Sequence, residues 1–231
     1  LLPNLLGEQR YVEPFIPCSV SKAVGTIDGL IAESAGGARK YLSLFQTKKK
    51  SHEMPVALYK GETEEELLDF LLEPIEKGER WGLISDAGVP CIADPGAFLV
   101  HRAKQKGILV RAFVGPSSLL LALMLSGLPG QKFSFHGYID HDPPARAKQI
   151  RHLVEVAQKE GMTQIVMEAP HRNRFLLEAL LATLPETFWL TVAWDLTLPT
   201  QGVVTQKVSS WKKATPPQID KKPALFLFAL F

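Results

Sequence analysis

Over the first half of the chain, short apolar runs alternate with longer amphipathic segments, and turn residues mark every change. Leu30–Glu33, Val56–Tyr59 and Trp81–Ser85 read as buried strands, each too short for a helix. Between them Leu67, Leu68, Leu71 and Leu72 recur at helical spacing. Thr63-Glu64-Glu65-Glu66 reads as a capping box opening that helix, and Pro74 and Gly78 as its end. Ala97–Lys106 repeats the helical pattern up to Gly107, and Ile108–Val114 reads as a further strand. Such alternation is satisfied by a mostly parallel sheet with helices on its faces.

The pattern changes after Gly115-Pro116. Ser117 or Ser118 can cap the apolar helix Leu119–Ser126, which stops at Gly127-Leu128-Pro129-Gly130. A strand near Phe133–His136, a polar helix near Pro144–Lys159, a strand at Gln164–Glu168 and a helix at Arg172–Leu184 follow. The last third is β-rich, with Trp189–Trp194, Gly202–Val208 and Ala224–Leu230 joined by short loops, which reads as a more antiparallel sheet. The expected organisation is two α/β domains, 1–115 with a parallel-type sheet and 116–231 with a mixed one. A length of 231 residues accommodates two domains of about 110 each.

Composition narrows the setting. The apolar run 119–125 is too short to span a bilayer, so it reads as a core helix and no membrane partner is expected. Cys18 and Cys91 form no C-x-x-C pair and no disulfide framework, and no secretory signal is visible, which points to the cytoplasm. Because the first residue is Leu rather than Met, a few residues are expected ahead of it. A formal charge of +2 neither demands nor excludes a nucleic-acid partner. Lys48–Lys50, Arg146/Lys148/Arg151, Lys212/Lys213 and Lys221/Lys222 could form local patches, although each alone reads as a solvated face.

Chemistry concentrates in three strand-end segments. Ser85-Asp86-Ala87-Gly88-Val89-Pro90-Cys91-Ile92-Ala93-Asp94-Pro95-Gly96 joins a strand to a helix, at the edge where open α/β sheets bind ligands. Its small residues let a ligand approach the backbone, and its carbonyls and carboxylates suit a cationic or hydroxyl-rich ligand. Val114-Gly115-Pro116-Ser117-Ser118 is a second turn of the same kind and a candidate second wall. Glu168-Ala169-Pro170-His171-Arg172 packs a carboxylate, an imidazole and a guanidinium into five residues. Glu33-Ser34 and Arg39-Lys40 could complete a polar rim. The sequence holds no phosphate loop, dinucleotide fingerprint, G-x-S-x-G elbow or H-E-x-x-H, so a protein-bound metal is not expected. Cys91 reads as a small buried thiol rather than a nucleophile.

These residues carry a resemblance. The Ser85–Pro90 segment, with Asp94-Pro95-Gly96 behind it, resembles the S-D-A-G-x-P-x-x-x-D-P-G segment of the tetrapyrrole methylase superfamily. It is most similar to the branch that methylates a cytidine ribose 2′-hydroxyl in small-subunit ribosomal RNA. Gly115-Pro116-Ser117 and Glu168 with Pro170-His171-Arg172 resemble that branch's later motifs, and Ile31-Ala32-Glu33 with Arg39-Lys40 and Leu42 its A-E-D-T-R-x-x-R-K-x-L stretch. The resemblance implies a homodimeric methyltransferase with S-adenosylmethionine in a cleft between its two domains. Asp86, Ala87, Gly88 and Pro90 would hold the cofactor, with Gly115, Pro116 and Ser117. Glu168 and Ala193, at strand ends of the second domain, would complete its binding site. Arg39 and Arg172 would face the acceptor, an RNA presented by the 30S subunit. Glu33, Asp86 and His171 are the candidate catalytic groups.

The sequence also departs from that branch. A-E-D-T-R becomes Ala32-Glu33-Ser34-Ala35-Gly36, P-I-G-N-L becomes Pro3-Asn4-Leu5-Leu6-Gly7, A-R-E-L becomes Ala193-Trp194-Asp195-Leu196, and a carboxyl-terminal G-E pair reads Lys222-Pro223. The donor side is therefore better kept than the acceptor side. A small tetrapyrrole or a protein as acceptor, or a cofactor-binding module without turnover, are the alternatives.

Overall fold

The computed structural model describes residues 1–9 and 12–231. The chain divides into two compact units, Leu1–Ser117 and Ser118–Phe231.

In the first unit, α1 (Cys18–Val24), β1 (Gly29–Ala32), α2 (Ala35–Ser43), β2 (Val56–Leu58), α3 (Glu65–Glu76), β3 (Trp81–Leu83) and α4 (Ala97–Gln105) follow one another. The strands form a parallel sheet in the order β2-β1-β3. Strand periodicity sends Leu30 and Ile31 to opposite faces. Leu30 joins Val20, Val24, Tyr41, Leu42 and Ile84 in one core, while Ile31 joins Leu68, Leu72, Leu83 and Leu99 in another. Both faces are thus covered, as a parallel sheet requires. The leading residues extend the sheet edge: Leu2 N–H donates to Leu83 O at 2.9 Å, and Phe113 N–H to Leu1 O at 3.1 Å.

Three local expectations need correction. Thr63 does not cap α3. The cap is Glu64, whose carboxylate turns back to accept from the Thr63 N–H at 3.1 Å, and no side chain caps the helix. Pro74 lies inside α3 rather than ending it, because it removes a single N–H in the last turn and Lys77 N–H again reaches Glu73 O at 3.2 Å. Gly78, with φ 95°, turns the chain away. Residues 108–114 carry no ladder of their own and are tied to the first residues instead. Two helices of this unit lie outside the sequence expectations, as does the short helix Val208–Trp211 of the second unit, where Val208 was expected to end a strand. α1 is short, and α2 opens with Ala35-Gly36-Gly37, a poor helix-forming start that the Ser34 cap sustains.

The second unit contains α5 (Ser118–Ser126), β4 (Phe133–Tyr138), α6 (Pro143–Glu160), β5 (Thr163–Glu168), a 3₁₀ turn (Pro170–Arg172), α7 (Asn173–Thr183), β6 (Trp189–Trp194), β7 (Gly202–Lys207), α8 (Val208–Trp211) and β8 (Ala224–Ala229). Its sheet is mixed, in the order β4-β5-β8-β6-β7, with β4 and β5 parallel and the remaining pairs antiparallel. Val166, Leu190, Val192, Phe226 and Phe228 meet Ile150, Leu153, Leu176 and Leu180 of α6 and α7 in one core. On β7, Thr205 Oγ1 donates to Ser126 O of α5 at 2.8 Å and shares a 2.8 Å bond with Thr191. The α6 cap follows the expected rule: Asp142 accepts from Ala145 N–H, and Gly161 closes the helix at φ 60°.

Candidate functional site

Parallel pairing of β1 with β3 sets Ile31 against Leu83, so Glu33 and Ser85-Asp86 emerge side by side at one sheet edge. There the Asp86 N–H donates to Glu33 Oε1 at 3.3 Å. Ser34 Oγ accepts from the Gly37 N–H at 3.0 Å, capping α2, and donates to Asp86 Oδ1 at 3.0 Å. A Cβ on Gly37 would collide with that carboxylate oxygen, so the glycine is what lets Asp86 lie against the first turn of α2.

The other side of the loop is held by the leading segment. Asn4 Nδ2 donates to Ser85 O and to Asp86 O, each at 3.0 Å, while its Oδ1 accepts from Leu5 N–H at 2.8 Å. Asn4 N–H donates to Gly88 O at 2.7 Å, and Gly88 N–H returns a bond to Leu5 O at 3.2 Å. Gly88 has φ 70°, and a Cβ there would come within 3.2 Å of Leu6 and 3.6 Å of Pro116 O. Gly115 lies against Pro3 so closely that any side chain would displace it. The expected residues Asp86, Ala87, Gly88, Pro90, Gly115 and Pro116 therefore belong to one locality of the first unit, with Asp86 and Ala87 exposed and Gly88 and Pro90 buried. Ser117 is the last residue of that unit.

Beyond Pro90 the loop is strained. Cys91 and Ala93 hold φ 71° and 65°, and Gly96 holds φ 140° with Cys91 Sγ where its Cβ would be. A non-glycine residue in this region costs about 1–2 kcal/mol, so the conformation is enforced by its surroundings. It brings Asp94 back towards Glu33 and Asp86. Burial first, then the charges of Glu33 and Asp86, raise the Asp94 pKa from 3.8 to about 6, against a lowering contribution from the Ser85 hydroxyl. Burial likewise raises the Cys91 thiol, which suits a packed thiol and not a nucleophile. Three acidic side chains thus share one small region, and the charges of Glu33 and Asp86 add to burial in raising Asp94.

In the second unit, Glu168, at the carboxyl end of β5, has a fully buried side chain. Its Oε1 accepts from Ala169 N–H at 2.8 Å and its Oε2 from Arg172 Nη2 at 2.7 Å. Arg172 Nη1 contacts His141 Nε2 at 2.9 Å. The imidazole in this chain of contacts is therefore His141, while His171 lies on the 3₁₀ turn, and both are exposed. Ala193 is buried within β6, paired on one side with Leu225 and on the other with Val203. Next to it, Asp195 accepts from Lys222 Nζ at 2.9 Å and Thr200 Oγ1 at 2.8 Å. Arg39, in the first unit, directs Nη1 to the carbonyls of Ser51 and Met54, so it pins the turn before β2.

The residues that reading the sequence overlooked are Asn4, Asp94 in a site role, and His141. Asn4 did leave a signal, as a polar residue inside the apolar run Leu1–Leu6. A cavity of about 460 Å³ in the first unit lies against Leu2, Leu83, Leu99 and Val110, and none of residues 85–96 lines it. Its lining is mainly apolar, with Thr26, Glu79, Arg80 and Arg111 among it, and it holds none of the loop residues, so the loop remains the better candidate. Among the described residues, no group of three or more His, Cys, Asp or Glu could hold a metal ion.

The family model for tetrapyrrole (corrin/porphyrin) methylases matches residues 18–211. A ribosomal RNA small subunit methyltransferase I from Xylella fastidiosa is 35% identical over 147 residues, covering 64% of this chain and 50% of that protein. The protein of the same name from Pseudomonas aeruginosa is 40% identical over 128 residues, covering 55% and 43%. That from Thermotoga maritima is 28% identical over 199 residues, covering 84% and 85%. The chain thus spans about half the length of several curated relatives it matches and most of the Thermotoga one. Among solved structures, the methyltransferase CobJ aligns with TM-score 0.60 at 18% identity, covering 93% of this chain and 88% of that one. A uroporphyrin-III C-methyl transferase from Thermus thermophilus complexed with S-adenyl homocysteine aligns with TM-score 0.55 at 17% identity, covering 95% and 93%.

Proposed function

The chain belongs to the tetrapyrrole methylase family, and on that premise we propose that it is an S-adenosylmethionine-dependent methyltransferase acting on small-subunit ribosomal RNA at a ribose 2′-hydroxyl. The name shared by the curated relatives supports the acceptor. The observation that carries the donor is the gathering of Glu33, Asp86 and Asp94 around a glycine-bearing loop, with Asp94 raised to about 6. Carboxylates that repel one another are complementary to a cation and to ribose hydroxyls, and the donor presents both. Glycines 88 and 115 keep side chains out of the loop's close contacts.

When bound, S-adenosylmethionine supplies an electrophilic methyl carbon on a sulfonium, so the chain needs neither a covalent intermediate nor a metal of its own. The chain's part is position and charge. Asp86, fixed by Ser34, offers its carboxylate to a hydroxyl or ammonium group of the donor. Asp94, raised to about 6 in the free chain and still mostly ionised at neutral pH, is the carboxylate that would accept the proton of the attacking hydroxyl. Holding donor and acceptor in line lowers the barrier further than proton transfer does, by roughly 7–11 kcal/mol in well-oriented systems. A dimer and a cytoplasmic location belong to the same proposal. Among the described residues no helix is long and apolar enough to cross a membrane.

A second reading has its own support. The first turn of α2 is bare where the related branch carries Asp-Thr-Arg, and a Cβ on Gly36 would meet nothing within 4 Å. An acceptor other than ribosomal RNA fits that open ledge. The test has two steps. Titration calorimetry with S-adenosylhomocysteine should show one site per chain that Asp86→Ala weakens. Labelled donor incubated with 30S subunits, and separately with small tetrapyrroles, should mark the RNA. Flat titrations at millimolar ligand would sink the donor assignment, and label in tetrapyrrole alone would sink the RNA assignment.

A further inference from the structure

Successive carbonyls of an extended strand point to opposite sides. The carbonyls of Ser85 and Asp86 nevertheless both reach the same amide nitrogen, Asn4 Nδ2, at 3.0 Å. The chain must therefore turn between them, and the turn exists where one side chain gathers both acceptors. The same side chain closes on itself, with Oδ1 taking the next N–H, that of Leu5. The backbone of Asn4 and Leu5 then brackets Gly88 with the reciprocal pair of bonds. Asn4 is buried, so water cannot replace its amide cheaply. The Asp86 carboxylate issues from this turn towards Ser34, which holds it from the opposite side.

From this geometry we infer that Asn4 is a positioning residue for donor binding: its side-chain amide sets the Ser85–Gly88 turn and thereby aims the Asp86 carboxylate. The inference rests on the proposed donor site and adds a residue that touches neither donor nor acceptor. Asp in place of Asn keeps the shape and still accepts from Leu5 N–H, but it sets a carboxylate oxygen against two carbonyl oxygens. The turn then opens and Asp86 loses its aim, while Leu2, Leu5 and Ile84 still anchor both segments in the core.

The experiment compares the wild-type chain with Asn4→Asp, and with Asn4→Ser should the first fail to fold. S-adenosylhomocysteine affinity is measured by calorimetry at a temperature where circular dichroism shows each protein fully folded. Losing both hydrogen bonds, the one to Ser85 O buried and the one to Asp86 O partly so, should weaken binding about tenfold or more. For Asn4→Asp, the ratio of variant to wild-type Kd should narrow as pH falls from 8 to 5.5, because a protonated Asp can donate one bond back to the turn. A role confined to stability would move the melting temperature and leave both the ratio and its pH dependence unchanged, and that result would overturn the inference. A wild-type chain that binds no S-adenosylhomocysteine would instead overturn the donor site itself and the inference with it, so the two failures are separable.

Discussion

Replacing Asp94 by Asn should stabilise the protein at neutral pH and leave its stability near pH 4 almost unchanged. Asp94 has its folded-state pKa raised from 3.8 to about 6, by burial and then by the charges of Glu33 and Asp86. A raised carboxyl pKa means that the folded chain holds the proton more tightly than the unfolded one. Below about pH 4 both states are protonated and nothing is lost. As pH climbs through the interval to 6, the unfolded chain has released its proton while the folded chain must give it up at a cost, so stability falls. Above 6 the whole penalty is present, with an upper limit of about 3 kcal/mol for such a displacement. Asp94 is only half-buried, so solvent screens part of this and about 1–2 kcal/mol is the reasonable expectation. Asn is neutral and nearly isosteric. For a domain of this size the gain corresponds to roughly 4–8 °C in melting temperature. Scanning calorimetry at pH 7.5 and at pH 4 reads both values for each protein. Equal shifts at the two pH values, or a lower melting temperature at pH 7.5, would refute the reasoning that Asp94 is strained by its acidic neighbours.

Three further outcomes follow from the same contacts. Gly37→Ala puts a methyl group into Asp86 Oδ1 and against Ser34 Oγ, so S-adenosylhomocysteine affinity should fall about tenfold by calorimetry, although alanine is the better helix former. Gly88→Val forces a β-branched residue to φ 70° with a 3.2 Å contact to Leu6; binding should be lost and melting lowered by several degrees, and unchanged affinity would place the donor elsewhere. Arg172→Met strands the buried Glu168 carboxylate and should cost about 3 kcal/mol in urea unfolding, most of which Glu168→Gln in the same chain should restore.

The regular elements were legible because their signals are local. Trp81–Leu83, Thr163–Glu168 and Ala224–Ala229 are apolar runs with turn residues on either side, and nothing remote is needed to read them. Where a signal was weak, a remote partner turned out to decide the structure. Ala35-Gly36-Gly37 starts a helix because Ser34 caps it, and that hydroxyl is set by Asp86, 52 positions away. Asn4 meets its carbonyls across more than 80 positions. The Ser85–Gly96 loop stood out in the sequence through its density of Gly, Pro and Asp, but its folding back towards Glu33 depends on left-handed Cys91 and Ala93, which no propensity announces. The choice between histidines was equally hidden. His171 is the neighbour of Arg172 in sequence, yet His141 is its neighbour in space, because β4 and β5 run parallel and deliver both segments to one sheet edge.

The acidic groups of the two units are treated differently, and that difference bears on where a cationic donor would bind. In the second unit each buried carboxylate has its own cation: Glu168 has Arg172, and Asp195 has Lys222. Such pairs are electrically closed, and a further cation gains little from them. In the first unit Glu33 accepts from an N–H and Asp86 from a hydroxyl, which supply hydrogen bonds but no positive charge, and Asp94 lies half-buried within reach of both charges. The Asp94 pKa of about 6 reflects burial first and then the charges of Glu33 and Asp86. A ligand cation beside these three would lower that pKa, so binding should release a proton near pH 6, with affinity rising as pH increases through that range. Proton release measured by calorimetry in buffers of different ionisation enthalpy checks this directly. Binding with no proton exchange between pH 5.5 and 6.5 would mean that the donor's charge lies away from the acidic loop.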